Sequence, residues 1–204
     1  VELWSNRFMA IAAEAGSVLE RLSRSVSIRE RLDFSCAIFD GQGHLVANAP
    51  HIPVHLGAMG ETVRDLIAHA SPLTDGQAYL TNDPFAGGSH LPDLTVITPV
   101  DHEGVRFYVA CRGHHSDVGG MTPGSMPPNA VRLEQEGVVW RRLPLLEGGT
   151  LVDLSEALSS CRQPETLRAD LEAQIASNAH AARALRDLGP AQLTETWMAH
   201  LHDV

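Results

Sequence analysis

The chain has 204 residues and a formal net charge of −10 at pH 7, and its 44% hydrophobic and 20% charged residues are ordinary fractions for a globular protein. Its 15 basic residues are all arginine, so a P-loop lysine and a Schiff-base lysine are both excluded. The acidic balance offers no basic surface to nucleic-acid phosphates, and no apolar run approaches the length of a membrane span.

The first half of the chain is predicted to alternate between helix and hairpin. Apolar side chains recur at three- and four-residue steps where we expect helices, and β-rich runs bounded by turn residues predict strands. The first helix includes Glu2 and has no continuous apolar stretch, so we expect neither a signal peptide nor a membrane span there. The predicted elements are a helix over 2–23, hairpin strands over 34–39 and 45–47, and a helix over 57–70.

The second half is predicted to begin with strands and end with helices. Its elements are strands over 78–80, 94–98 and 105–111, a Gly-, Pro- and Met-rich loop over 119–131, a strand over 138–140, and helices over 165–188 and 191–201. This order favours an α+β fold with an antiparallel or mixed β-sheet, flanking helices and a long C-terminal helix, in a single domain over residues 1–204. No GxGxxG motif follows a strand, so dinucleotide binding has no support.

Three cysteines, Cys36, Cys111 and Cys161, are present, and none of them has CxxC spacing. An odd number without such spacing predicts neither a disulfide framework nor a zinc knuckle, and it favours a reducing, cytoplasmic location. Because Cys36 falls in an apolar strand, we expect it to be inert rather than nucleophilic.

Chemistry-bearing residues are densest between residues 82 and 120. His90 and Asp93 are separated by Leu91 and Pro92, and both can reach one cation from a tight loop. If the strands over 94–98 and 105–111 pair as a hairpin, the loop before the first and the loop after the second meet at one end of the sheet. The His114–His115 pair then joins His90 and Asp93. Mixed imidazole and carboxylate ligands suit Zn, Mn or Fe. The alternative is that these residues only form turns and surface hydrogen bonds.

Three segments resemble the amino-terminal region of the hydantoinase B/oxoprolinase family. They are ERLDFSCAIFDGQGHLVANAPHIPVHLGAM (30–59), NDPFAGGSHLPDLTVITPV (82–100) and GHHSDVGG (113–120). That family includes subunits of ATP-dependent hydantoinases and lactamases, the carboxy-terminal half of 5-oxoprolinase, and subunits of acetone and acetophenone carboxylases. Its members are several hundred residues long, so the resemblance implies the amino-terminal part of a larger subunit.

The resemblance implies a metal site with the ligands Asp33, His90, Asp93 and one of the two adjacent histidines. We assign His114, because its distance from Asp117 matches the spacing of the family ligand, although His115 stays an alternative. His115 and Asp117 are then expected to be catalytic, with Asp117 orienting a ligand histidine. Without the resemblance, Asp33 is as easily explained by pairing with a neighbouring arginine.

By the same resemblance, the chain is expected to be a metal-dependent subunit of an ATP-dependent hydrolase of hydantoins, oxoproline or lactams. A hydantoinase A-like partner subunit binds ATP and activates the cyclic amide, and this chain completes ring opening within an oligomer, using Zn, Mn or Fe. The alternatives are a carboxylase subunit of the acetone or acetophenone type, a truncated metal-binding domain without turnover, and a metallohydrolase that works without ATP.

Overall fold

The computed structural model describes residues 2–49, 53–70 and 72–189. Its helices are α1 (Glu2–Leu22), α2 (Val26–Arg29), α3 (Pro53–His69) and α4 (Pro164–Arg186). Its strands are β1 (Phe34–Asp40), β2 (Leu45–Asn48), β3 (Tyr79–Thr81), β4 (Asp93–His102), β5 (Val105–His114), β6 (Leu143–Pro144), β7 (Leu146–Glu147) and β8 (Thr150–Leu151). The helix predicted over 191–201 lies outside the described residues.

Six strands form one antiparallel sheet in the order β2-β1-β5-β4-β3-β6, and β7 and β8 pair separately. Helices α1 and α4 pack together on one face of the sheet, and α3 covers the other face. The predicted α+β fold with an antiparallel sheet, flanking helices and a long late helix is confirmed.

Strand β1 is buried along its whole length because helices cover both of its faces. Successive side chains of a strand point to opposite faces. Phe34, Cys36 and Ile38 therefore belong to the core under α1 and α4. Ala37 and Phe39 belong to the smaller core under α3. The same alternation determines which side chains of β4 and β5 point to each face of the sheet.

Polar side chains of α4 also fix that helix over the sheet. Gln174 is buried, and its Nε2 donates to the carbonyl oxygens of Leu94 at 3.0 Å and Cys111 at 3.2 Å. Buried amides need such partners, since an unpaired one costs about 1–3 kcal/mol. The bonds hold α4 in register with β4 and β5.

The predicted strand over 138–140 is wrong. The backbone N–H of Val138 donates to the carbonyl of Val118, and that of Trp140 donates to the Asn82 side chain. These partners belong to loops, so the segment is extended without joining a strand ladder. Strands β4 and β5 are longer than predicted, because their outer ends pair with each other as far as His102 and Val105. No helix among the described residues is long and apolar enough to cross a membrane.

Candidate metal centre

The open end of the β4–β5 hairpin brings an aspartate and a histidine together. Asp93 is the first residue of β4 and lies opposite His114, the last residue of β5. The Oδ1 atom of Asp93 is 3.1 Å from Nδ1 of His114. The two loops predicted to meet at this end of the sheet therefore do so.

The third member of the cluster is His90, from the loop between β3 and β4. Its Nδ1 atom lies 2.9 Å from Oδ2 of Asp93, yet this nitrogen has no partner with hydrogen-bond geometry. The rings of His90 and His114 have centroids 4.8 Å apart. One ligand atom from each of the three residues lies within 4.8 Å of the others. Ligands that share an ion through bonds of about 2.0–2.2 Å lie at most about 4.4 Å apart, so binding one ion would draw the outermost atoms slightly closer.

The carboxylate of Asp93 is held in its ionised form. Its burial would raise its pKa, but the contacts from His114, His90 and the hydroxyl of Ser89 outweigh burial and lower the pKa well below its usual range. The contact with Asp93 also raises the pKa of His90, against the effect of partial burial. An ionised carboxylate between two imidazoles is a chemically suitable donor set for a divalent transition metal.

Asp33 lies just before β1, on the strand next to β5. Its backbone carbonyl accepts a hydrogen bond from the N–H of His114. Its position in the strand alternation matches Ala37 and Phe39, on the α3 side of the sheet, where Asp93 and His114 also point. The negative charge of Asp33 contributes to the raised pKa of His90. The compact three-residue cluster does not include Asp33.

The cluster is open to solvent on one side. The side chain of Asp93 is 1% exposed, whereas that of His90 is 35% exposed and that of His114 is 19% exposed. A small molecule can therefore approach the two histidines while the carboxylate stays buried behind them. Catalytic metal sites have this form, with protein ligands on one side and open positions on the other.

His115 points to the opposite face of the sheet, toward α4. It is 1% exposed, and its Nε2 atom lies 3.1 Å from Oε1 of Gln174. Because the amide of Gln174 donates elsewhere, the imidazole is the donor in this pair. Burial lowers the pKa of His115 to about 4, so the ring is neutral at pH 7. The structure does not bring His115 into the cluster with His90, Asp93 and His114.

Asp117 organises the loop that follows β5. Its carboxylate accepts hydrogen bonds from the backbone N–H groups of Gly119, Gly124 and Arg162, and it pairs with the Arg162 guanidinium at 2.8 Å. Burial would raise the pKa of Asp117, but these hydrogen bonds lower it. Asp117 is likewise outside the three-residue cluster. These contacts favour a supporting role for both His115 and Asp117, and a direct part in catalysis stays a prediction.

Two residues beside the cluster were not singled out from the sequence. Ser89 donates its hydroxyl to Oδ2 of Asp93. The four-residue spacing of Ser89 and Asp93 within SHLPD was the available signal. Arg112 is 1% exposed and lies two residues before His114 on the same face of β5. Nothing in the sequence distinguishes Arg112 from an arginine at the surface.

The cysteines have no part in the candidate site. All three are free, and Cys36 and Cys111 face each other on β1 and β5. Burial raises the pKa of Cys36 to about 12, so its thiol is protonated at neutral pH and a poor nucleophile.

Comparisons with known proteins identify the family of the chain. The family profile described as hydantoinase B/oxoprolinase matches residues 1–204. 5-oxoprolinase 1 of Arabidopsis thaliana is 47% identical over 92% of this chain, which spans 16% of that protein's length.

Two solved structures share the fold. An ATP-dependent caprolactamase from Pseudomonas jessenii has a TM-score of 0.84 and 26% identity, over 93% of this chain and 34% of its own. The nucleotide-free structure of an acetone carboxylase has a TM-score of 0.84 and 21% identity, over 92% of this chain and 25% of its own. At 21% identity, the second likeness concerns the fold alone.

Proposed function

The chain belongs to the hydantoinase B/oxoprolinase family, and from this membership we propose that it forms the metal-binding part of an ATP-dependent hydrolase of cyclic amides. The observation that carries the proposal is the cluster of His90, Asp93 and His114 at the open end of the β4–β5 hairpin. The two imidazoles and the carboxylate at this place form a donor set suited to metal-assisted hydrolysis, and a relative of the chain is a 5-oxoprolinase.

The proposed ligands are His90, Asp93 and His114, with Asp33 as the fourth. The contact of 2.9 Å between Nδ1 of His90 and Oδ2 of Asp93 supports shared binding of a cation, because it places two possible ligand atoms side by side. Zn, Mn and Fe all suit two imidazoles with carboxylates. A divalent ion held there supplies Lewis-acid chemistry, activating water and stabilising developing negative charge on a carbonyl or phosphoryl oxygen.

The chain's own residues prepare the site for this chemistry. Ser89 and His114 hold the two carboxylate oxygens of Asp93 in place. The partly exposed histidines leave one side free for a substrate carbonyl. We propose that His115 and Asp117 stabilise the elements next to the ligands, since His115 links β5 to α4 and Asp117 shapes the loop after β5. In the reaction, water adds to the ring carbonyl carbon, the C–N bond breaks, and the nitrogen takes up a proton. The phosphoryl group that activation transfers from ATP to the carbonyl oxygen is released as phosphate by a second water.

The proposed substrate is a cyclic amide of the oxoproline, hydantoin or lactam class. We propose that a hydantoinase A-like partner binds ATP and activates the amide, as a separate subunit or as another region of a longer polypeptide. The absence of lysine and of a P-loop motif in these 204 residues supports that division of work. In this proposal the 204 residues are one domain, an amino-terminal part of a larger oligomeric enzyme that works in the cytoplasm.

Hydrolysis is preferred to carboxylation for one reason. The similarity to a 5-oxoprolinase extends to 47% sequence identity, whereas the likeness to acetone carboxylase is one of fold. A cyclic amide therefore has stronger support than a ketone as the substrate class.

The proposal is tested by reconstituting the chain with its ATP-binding partner and supplying 5-oxoproline, ATP and Zn²⁺ or Mn²⁺. We expect glutamate and ADP to form together, and only when chain, partner and metal are all present. The variant His90→Ala should abolish glutamate formation. The control His180→Ala removes an imidazole that contacts Glu14 on α1, and it should retain activity.

Three outcomes would contradict the proposal. Glutamate formation without ATP would identify a simple metallohydrolase. Metal binding without turnover of any cyclic amide would leave a binding domain. Bicarbonate-dependent carboxylation of acetone in place of ring opening would identify a carboxylase.

A further inference from the structure

Arg112 is a buried cation beside the candidate metal centre. Its side chain is among the largest that are fully buried in the described residues. Placing a guanidinium in the interior is costly unless hydrogen bonds compensate. Burial lowers the pKa of Arg112 to about 10, so it still carries its charge at pH 7. The hydrogen bonds of Arg112 therefore indicate what it does.

Those hydrogen bonds join three different parts of the fold. The Nε atom donates to the hydroxyl of Thr95 on β4 at 2.7 Å. Nη2 donates to the hydroxyl of Thr62 on α3 at 2.9 Å and to the carbonyl of Gly87 at 2.9 Å. Gly87 belongs to the loop that carries His90. The guanidinium thus ties this loop to α3 and to the sheet.

The contact between the loop and α3 is unusually close. A Cβ atom at Gly87 would lie 2.6 Å from the backbone oxygen of Ala58 and 2.6 Å from the backbone nitrogen of Thr62. The loop therefore rests directly on the helix backbone, and Arg112 bonds to both sides of this junction. His90 follows Gly87 by three residues, so the position of the junction determines where its imidazole lies.

Arg112 is also adjacent in the sheet to the other two members of the cluster. Thr95 and Asp93 are alternate residues of β4, and Arg112 and His114 are alternate residues of β5, so all four point to one face. We propose that Arg112 is a positioning residue, which sets the loop carrying His90 at the distance from Asp93 and His114 that binding of one cation requires. This inference rests on the metal site of the proposed function.

If Arg112 acted on the metal only through its charge, replacing Arg112 would change the metal affinity in the direction opposite to that expected for a positioning residue. A guanidinium near a divalent cation repels it, so removing the charge alone should strengthen metal binding. Loss of positioning should weaken it, by about 10- to 100-fold if Arg112 resembles residues that orient ligands in other metal sites. The direction of the change in affinity therefore distinguishes the two roles.

The experiment measures Zn²⁺ affinity of the metal-free chain by competition with a chromogenic chelator. Arg112→Met removes the charge and all the donors, and Thr62→Val removes one acceptor without changing charge. Arg186→Met is the control, because it removes an equal charge from an arginine of α4 that pairs with Asp75. We expect weaker binding in Arg112→Met, a smaller loss in Thr62→Val, and affinity close to wild type in Arg186→Met.

Hydrogen exchange of the backbone amides in residues 86–93, without metal, is the second measurement. We expect faster exchange in Arg112→Met and Thr62→Val. Folded Arg112→Met that binds Zn²⁺ as tightly as wild type, or more tightly, would overturn the proposal. If Arg112→Met does not fold, unchanged affinity and exchange in Thr62→Val would overturn it. A wild-type chain without Zn²⁺ affinity would remove the proposed metal site, and unchanged exchange of residues 86–93 would then refute the role of Arg112 separately.

Discussion

Asp93 and His114 stand directly opposite each other on β4 and β5, with Oδ1 of the aspartate 3.1 Å from Nδ1 of the histidine. The pair lies at the open end of the hairpin, where the strand ladder stops and the loops begin. A cross-strand pair at this position is held by backbone pairing, and a loop residue can add a third group to it. His90 provides that group from the loop before β4.

Asp93→Asn should remove bound metal while keeping the fold. The substitution preserves side-chain size but removes the charge that His90, His114 and Ser89 contact. We expect wild-type protein to contain at least one equivalent of a divalent transition metal by elemental analysis, and Asp93→Asn to contain almost none. His180→Ala serves as the control, because that histidine lies on α4 beside Glu14. Equal metal content in all three proteins would remove the site.

Replacing His114 and replacing His115 should have different effects on metal content and stability. His114→Ala is expected to lose metal, since its imidazole belongs to the cluster. His115→Ala is expected to keep metal but to lose about 1–3 kcal/mol of unfolding free energy, because Gln174 then lacks its buried donor. Elemental analysis and urea unfolding together test both variants. The reverse pattern would show that His115, not His114, is the ligand.

Two glycines with similar backbone angles should respond differently to alanine. Gly87 has φ of +78° and Gly76 has φ of +74°, so both substitutions impose the strain of a left-handed conformation. At Gly76 an added Cβ meets nothing within 4 Å, whereas at Gly87 it would collide with the backbone of α3. We expect Gly76→Ala to cost about 1 kcal/mol, and Gly87→Ala to cost more and to weaken Zn²⁺ binding.

Thermal unfolding and chelator competition measure these two effects. Equal losses of stability in the two glycine variants, with unchanged affinity for Zn²⁺, would show that the contact of Gly87 with α3 contributes neither to stability nor to metal binding.

Asp117 should make stability depend on pH in the acid range. The pKa of Asp117 in the folded chain is lowered from 3.8, so the unfolded chain takes up the proton first as the pH falls. Its contribution to stability is complete above pH 3.8 and is lost as the pH falls through the lower, folded value. Asp117→Asn should therefore cost about 1.5–3 kcal/mol at pH 7 and progressively less below pH 3.8.

Urea unfolding at pH 7 and pH 3 checks this expectation. Asp187→Asn is the control, since Asp187 is an exposed aspartate at the end of α4. A loss in Asp117→Asn that is the same at both values of pH would mean that the charge of Asp117 does not brace the loop after β5.

Local patterns in the sequence were sufficient for most of the architecture. The three- and four-residue apolar period of α1 and α4 reflects burial of one helix face, so both helices were predicted close to their observed bounds. The hairpin formed by β4 and β5 followed from two β-rich runs with a short connection, and it implied that His90 and Asp93 would meet a histidine from the other side. The segment 138–140 was misassigned because an extended, apolar run can pair with loops as readily as with strands.

The sequence by itself determined which residue types are available for chemistry. They are the histidines and aspartates of the SHLPD and HHSD segments, and the 204 residues include no lysine. Only the tertiary structure decided that His114, and not His115, lies beside His90 and Asp93, because this depends on strand register and on which face of the sheet each side chain reaches. It also decided that Arg112 is buried against Thr62, Thr95 and Gly87. Burial and partners are set by elements distant along the chain, and no local pattern records them.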